Sequence, residues 1–217
     1  MVVGSIAGAQ DFHYVPDDFA TISEAMAGAV SGDFVVVRDG VYAGTGNVDL
    51  DPEGKDIVIQ SENGPGSCYI DCGGTARAFV LQTDEGSDTV IRGFTIQHGS
   101  AEDFGGAIYM LNSSPVIENC MFQNNKAPYG AAVSVVNGEP TISGCQFYNN
   151  NAEEFGGAIL LANSTGTVSN CHLSWNFARS GAGIFCCWFA QPRLINNLIV
   201  WNSAETGGGI SAEYMGF

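Results

Sequence analysis

Positive charge is scarce in this sequence. Seven Lys and Arg stand against 23 Asp and Glu in 217 residues, a formal net charge of −16. Nucleic acid and anionic membrane surfaces both call for basic patches, so neither is expected as a partner. Long apolar runs are missing too. None approaches the roughly 20 residues that a membrane-spanning helix needs, and no membrane insertion is expected. There is no CxxC and no Cys/His spacing of the kind that holds zinc. Charged residues of either sign make up only 14% of the chain, too few for helices with solvated faces.

What is abundant is glycine, 29 residues of 217, which suits many turns between stacked strands. The length suffices for one domain with a substantial core. At the N-terminus, "MVVGSIAGAQ" is apolar from Val2 to Ala9, and Ala7-Gly8-Ala9 matches the small-x-small pattern of a signal-peptidase site. Residues 1–9 are therefore expected to be the remnant of a secretion signal or a disordered start, with a single domain over 10–217.

Within that domain the glycine pairs recur. Rows begin at Gly105, Gly130, Gly156, Gly181 and Gly207, with spacings of 25, 26, 25 and 26. Ile108, Val133, Ile159, Ile184 and Ile210 share a column, and Met110, Val135, Leu161, Cys186 and Ala212 share the column two residues on. A step of two is one face of a strand. Ile117, Ile142, Val168 and Leu194 then align, followed three residues later by Cys120, Cys145, Cys171 and Asn197. Two beyond those come Phe122, Phe147, Leu173 and Ile199, and three further Asn125, Asn150, Asn176 and Asn202. A flat strand cannot turn residues 117 and 120 to the same side, so the step of three marks a corner. Each row reads as three short strands joined by bends, and rows of this period stack as a solenoid. The fold class is all-β: a parallel β-helix with about 25 residues per coil. Coils about 4.8 Å apart would place each side chain on its copy in the next coil. The Asn column is expected at a tight bend, as a left-handed residue whose amide bonds the next Asn.

The alternation of "GGAI" (105–108, 156–159) with "FQNN" (122–125) and "FYNN" (147–150) resembles the right-handed parallel β-helix repeats of bacterial surface proteins, notably the polymorphic outer-membrane proteins of chlamydiae. The opening "VPDDFATISEAMAGAVSGDFVVVRDGVYAG" looks like the entry segment of secreted β-helix proteins, pectate-lyase-like ones included. The resemblance implies a right-handed helix and a bacterial protein that is secreted or held at the cell surface. An autotransporter of that kind would also carry a C-terminal membrane barrel, which these residues do not contain.

The segment 10–34 is expected to cap the N-terminal end. Pro16-Asp17-Asp18 supplies helix-start signals, and Ile22, Met26 and Val30 lie near helical spacing. Residues 35–104 read as irregular coils and 105–217 as regular ones. The last coil is incomplete, so a truncated chain, a partner, or self-association through the uncapped end is expected.

Against this frame, few residues look like chemistry. Cys120, Cys145 and Cys171 read as a reduced ladder of small apolar fillers. Cys68 and Cys72, about 13 Å apart along a strand, cannot pair without a bend. Cys186 should face in and Cys187 out. Asp49 and Asp51 of "NVDLD" would share the outward face of a strand and offer a calcium site. Calcium is the one cofactor the sequence suggests. Glu102-Asp103, Glu153-Glu154 and Glu205 alternate coil by coil with Lys126 and Arg179, which reads as a charge ladder. β-helix lyases and glycosidases imply clustered acids beside a base. Arg77, Arg92 and His98, near Asp71 and Asp88, come closest, and no catalytic centre is evident; His13 and His172 stand alone. No Thr-x-Thr column supports an ice-binding face. Trp175 and Trp201 occupy equivalent places before the Asn column and should stack on one edge. Trp188 falls in a neighbouring bend, with Phe177 near. This aromatic edge is the candidate ligand site, for carbohydrate or another surface protein. The sequence therefore points to an exported structural, adhesive or carbohydrate-binding scaffold. The alternatives are a polysaccharide-active lyase or hydrolase, or a fragment of a larger surface protein.

Overall fold

The computed structural model describes residues 10–214. The expected signal remnant, 1–9, lies outside the described residues. The chain winds into three long parallel sheets, to which each regular coil adds one strand apiece, and a small two-stranded parallel sheet of Lys126–Tyr129 with Asn151–Phe155. The first sheet has eight strands, from Phe12–Val15 to Arg193–Ile195. The second has seven, from Gly40–Ala43 to Leu198–Val200, and the third six, from Phe79–Leu81 to Ile210–Glu213. The columns of the sequence are the registers of the sheets. Ile108 pairs with Val133, Val133 with Ile159, and the run continues to Ile184 and Ile210. Ile117, Ile142, Val168 and Leu194 pair likewise, as do Phe122, Phe147, Leu173 and Ile199. Stacking places the Phe122 and Phe147 rings 4.8 Å apart at 7°, and apolar identity repeated coil on coil gives one continuous core.

One rule makes the corners. Between Ile108 and Asn176 each strand of the three long sheets ends in a buried residue, an outward residue, a left-handed residue and then another buried one. In Ile117-Glu118-Asn119-Cys120, Asn119 has φ 50° and the residues either side of Glu118–Asn119 point inward. A single left-handed residue resets the alternation, which is how a step of three arises on one face. The same device operates at Met110-Leu111-Asn112-Ser113 and at Phe122-Gln123-Asn124-Asn125. Asn dominates these corners because its short amide tolerates the left-handed region. The glycine pairs answer a different need. Gly156 has φ +70°, and a Cβ there would lie 2.7 Å from the Ile159 carbonyl oxygen.

The expectation for the Asn column therefore needs correcting. The left-handed residue is the one before it, Asn124 or Asn149, while Asn125, Asn150 and Asn176 are buried. Asn125 Nδ2 donates to Asn150 Oδ1 at 2.9 Å and to the Ile96 carbonyl at 3.2 Å, and the backbone N–H of Asn125 donates to the same Oδ1 at 3.1 Å. Asn150 repeats this with Asn176 and Phe122, and Asn176 with Asn202 and Phe147. In a low-dielectric core a fully satisfied ladder fixes the register, whereas a broken one is costly. Asn197, standing where the other coils have cysteine, makes the equivalent bonds to the Cys171 N–H and the Val168 carbonyl.

The N-terminal segment is a cap that contributes the first rung itself, because Phe12–Val15 pairs with Phe34–Val37. Pro16-Asp17-Asp18 forms a turn rather than a helix start. The helix is Ile22–Gly28, begun by Thr21 and Glu24 in a capping box. It buries Ile22, Ala25 and Met26, whereas Val30 falls beyond its end and is exposed.

A second apolar layer, which the repeat columns do not announce, lies outside the third sheet. Val136, Leu160, Ala162, Phe185 and Cys187 are buried there beneath Phe104, Tyr129 and Phe155. Cys187 does point outward, as expected, but into this layer. All seven cysteines are free and buried. The Cys120, Cys145 and Cys171 thiols donate weakly to carbonyls two residues back, at 3.2 to 3.4 Å, and burial pushes the Cys120 thiol up to about 12.

Candidate functional site

The outward face of the second sheet changes character along its length. Near the N-terminal end it is polar and cross-linked. Gln97 Nε2 donates to Asp71 Oδ2 and Gln123 Nε2 to Gln97 Oε1, both at 2.8 Å, and His98 Nδ1 lies 3.1 Å from Asp71. One coil beyond Gln123, Tyr148 stands exposed in the same register. The face then ends on Trp175 and Trp201, 47% and 70% exposed, with ring centroids 5.6 Å apart at 41°. A groove of about 340 Å³ runs beside them, lined also by Gln123, Gln146, Tyr148 and His172. His172 Nε2 is buried there with no hydrogen-bond partner among the described residues.

The backbone under these rings is the unexpected part. Trp175 has φ 58° and Trp201 φ 55°, in the corner column that holds Asn124 and Asn149 in the preceding coils. Trp188, at φ 52°, stands in the corner column of Asn112, Asn137 and Asn163. All three tryptophans of the chain thus occupy left-handed corners. A bulky residue there costs on the order of 1–3 kcal/mol, which Asn largely avoids. For Trp175 and Trp201 the mutual ring contact returns only part of that cost, because both rings reach into solvent.

The structure divides the expected aromatic edge. Trp175 and Trp201 meet as anticipated, but Phe177 lines a separate groove with Glu153 and Arg179, and Trp188 packs on the apolar layer of the third sheet. Sequence reasoning left His172 as a solitary residue. Its signal was register, since it pairs with Gln146 and Leu198 on the face that carries the tryptophans.

Asp49 and Asp51 lie in a turn region rather than on a strand face. Asp49 has φ 50°, and Leu50 between them is buried against Phe79 by a single bridge. Asp49 accepts the Arg77 backbone N–H at 3.0 Å, and Asp51 accepts the Glu53 N–H at 2.8 Å. Each carboxylate is thus engaged by a backbone N–H, Asp49 by the next coil and Asp51 by its own turn. Among the described residues no group of three or more His, Cys, Asp or Glu is placed to hold a metal ion. The charge ladder is present: Lys126 reaches Glu153 at 3.1 Å, and Arg179 reaches Glu154 at 3.3 Å and Glu205 at 3.7 Å. These exposed pairs are worth tenths of a kcal/mol each. Arg77, Arg92 and His98 do not converge, for they pair separately with Asp103, Glu118 and Asp71.

A family model described as a right-handed beta helix region matches residues 58–216. The chain belongs to the right-handed β-helix family. Its stacked parallel sheets and inward columns are those of such a β-helix, and the matched span takes in both tryptophan-bearing corner columns. No curated protein and no solved structure matches the chain.

Proposed function

We propose that this β-helix is an exported scaffold that binds neutral carbohydrate along the outward face of its second sheet, with Trp175 and Trp201 as the stacking platform. The observation that carries this reading is the exposed tryptophan pair held at strained corners. Strain of about 1 kcal/mol or more at each of two largely exposed aromatics exceeds the return from their one mutual ring contact, which is what a recognition site tolerates and a scaffold avoids. Aromatic faces take the apolar faces of sugar rings, and amides such as Gln123 and Gln146 supply hydrogen bonds to hydroxyls. The coil repeat of about 4.8 Å gives a straight track suited to a linear chain. The charge of −16 favours neutral over acidic polysaccharides. Export is supported by the signal-like residues 1–9 and by the family's surface relatives that the repeats resemble.

The test is a binding screen of neutral and acidic soluble polysaccharides, followed by tryptophan fluorescence and calorimetry, with and without calcium. Trp175→Ala and Trp201→Ala should each weaken binding of the neutral ligand about tenfold or more, the range of aromatic hot spots. Absence of binding to every neutral polysaccharide, or binding that the double variant leaves unchanged, would refute the reading.

A further inference from the structure

The apolar layer on the third sheet holds a second candidate site. Phe104, Tyr129 and Phe155 arch over it in a row, with neighbouring ring centroids 5.1 and 5.9 Å apart. The row is held by parallel pairing of Lys126–Tyr129 with Asn151–Phe155 and by a bridge from Phe104 to Tyr129. Beneath them Leu160 and Ala162 form the floor, Trp188 closes one end, and the space between measures about 230 Å³.

Its origin is visible in the register. The outward column runs Leu111, Val136, Ala162, Cys187. Ala162 is the smallest of the four, so the layer loses side-chain volume where the aromatic arch still spans it. The wall at Trp188 is also strained, because Trp188 and Phe189 take successive φ values of 52° and 67°. The equivalent positions in earlier coils are Asn112-Ser113, Asn137-Gly138 and Asn163-Ser164. Two aromatic residues in consecutive left-handed conformations make the costliest corner among the described residues.

We propose that this space is a binding site for a small uncharged apolar molecule, of the size of one aromatic ring or a short hydrocarbon. An enclosed apolar cavity of roughly 150 Å³ suffices to take up benzene; this space is larger and open to solvent on one side, so a guest would bury most of its surface against the layer. No ionisable carboxylate, amine or guanidinium lines it, so an ion entering it would go unpaired, which costs several kcal/mol. The aromatic arch offers offset stacking to a planar guest. The site is on a different sheet from the tryptophan pair and stands independently of the carbohydrate reading.

Toluene serves as the probe and benzoate as its charged counterpart, followed by ligand-observed NMR and thermal unfolding. Toluene should bind saturably and raise the unfolding midpoint, with benzoate at least about tenfold weaker. Ala162→Leu, which restores the side chain of Leu111 in the same column, should lower toluene affinity by about tenfold or more while the chain stays folded. Trp188→Asn removes one wall and relieves the corner, so it provides a second test that does not overpack the layer; it too should weaken binding. Trp175→Ala should leave toluene binding unchanged. Absence of saturable toluene binding, benzoate binding as well as toluene, or affinities that both variants leave within about twofold would overturn the proposal.

Discussion

Asn150→Leu offers the sharpest reading of how the coils are held in register. The side chain is fully buried and makes four contacts. Its Oδ1 accepts from the Asn125 backbone N–H at 3.1 Å and from Asn125 Nδ2 at 2.9 Å, and its Nδ2 donates to Asn176 Oδ1 at 2.9 Å and to the Phe122 carbonyl at 3.1 Å. Leucine conserves most of the volume, so the cost lies in groups left behind. Asn125 loses a partner for its backbone N–H and for one amide hydrogen. At about 1–3 kcal/mol for each buried unsatisfied group, the expected loss is about 4 kcal/mol. For a chain of this size that lowers the unfolding midpoint by about 8–16 °C. The control is the adjacent residue. Asn149 has φ 54° and an exposed amide bonded to Asn124 Oδ1 at 2.7 Å, so Asn149→Gly keeps the left-handed corner and should cost less than about 1 kcal/mol. Circular dichroism melts of the two variants decide the matter. Equal costs, or an Asn150→Leu loss under about 1 kcal/mol, would refute the view that the inner ladder fixes the stack and the outer one only decorates it.

Three further outcomes are expected. Asp33 accepts from the Val30 N–H, from His13 and from the Asp11 N–H, which hold its carboxyl down at about 2. Its contribution is complete above the unfolded carboxylate value near 3.8 and is lost as pH falls through about 2. Melts between those pH values should therefore drop for the native chain, and less steeply for Asp33→Asn, which starts less stable at neutral pH. All seven cysteines are buried and should be shielded from thiol reagents while the chain is folded, Cys68, Cys72 and Cys120 doubly so because burial also raises them to about 12. After unfolding without reductant all seven should titrate, and a count lowered by bridges would contradict the reduced core. Gly156→Ala should lower the melting midpoint by several degrees, because its φ of +70° and the Ile159 carbonyl leave no place for a Cβ; a neutral result would show that this corner can shift.

Much of the scaffold was legible because stacking converts sequence period into spatial contact. Ile108, Ile117 and Phe122 recur every 25 or 26 residues since each sits on its copy, and the pairing follows those columns without a slip. What escaped was set by neighbours that no period announces. The left-handed residue lies one place before the Asn ladder, and only backbone geometry distinguishes Asn124 from Asn125. The second apolar layer had a signal in "ILLA" and "IFCC", continuous apolar runs typical of strands buried on both faces, yet its cover comes from the arms carrying Phe104, Tyr129 and Phe155. Asp49 and Asp51 alternate like a strand, but Asp49 is bound to the backbone of the next coil at Arg77 and Asp51 to its own turn at Glu53. For the tryptophans, sequence placed the Trp175–Trp201 pair, while the strain beneath it and the separation of Trp188 and Phe177 needed coordinates. Function is sought where the corner grammar is broken, since a repeat that obeys it is accounted for by the fold.

The most direct test of that claim replaces Trp175 and Trp201 together by Asn, the residue of the same column in earlier coils, and measures stability and binding on one sample. Relief of two bulky left-handed corners, at about 1 kcal/mol or more each, outweighs loss of one ring pair worth about 1 kcal/mol. The account predicts a melting midpoint raised by about 2–4 °C or more together with loss of neutral-carbohydrate binding. A double variant that melts lower than the native chain and still binds carbohydrate would contradict it.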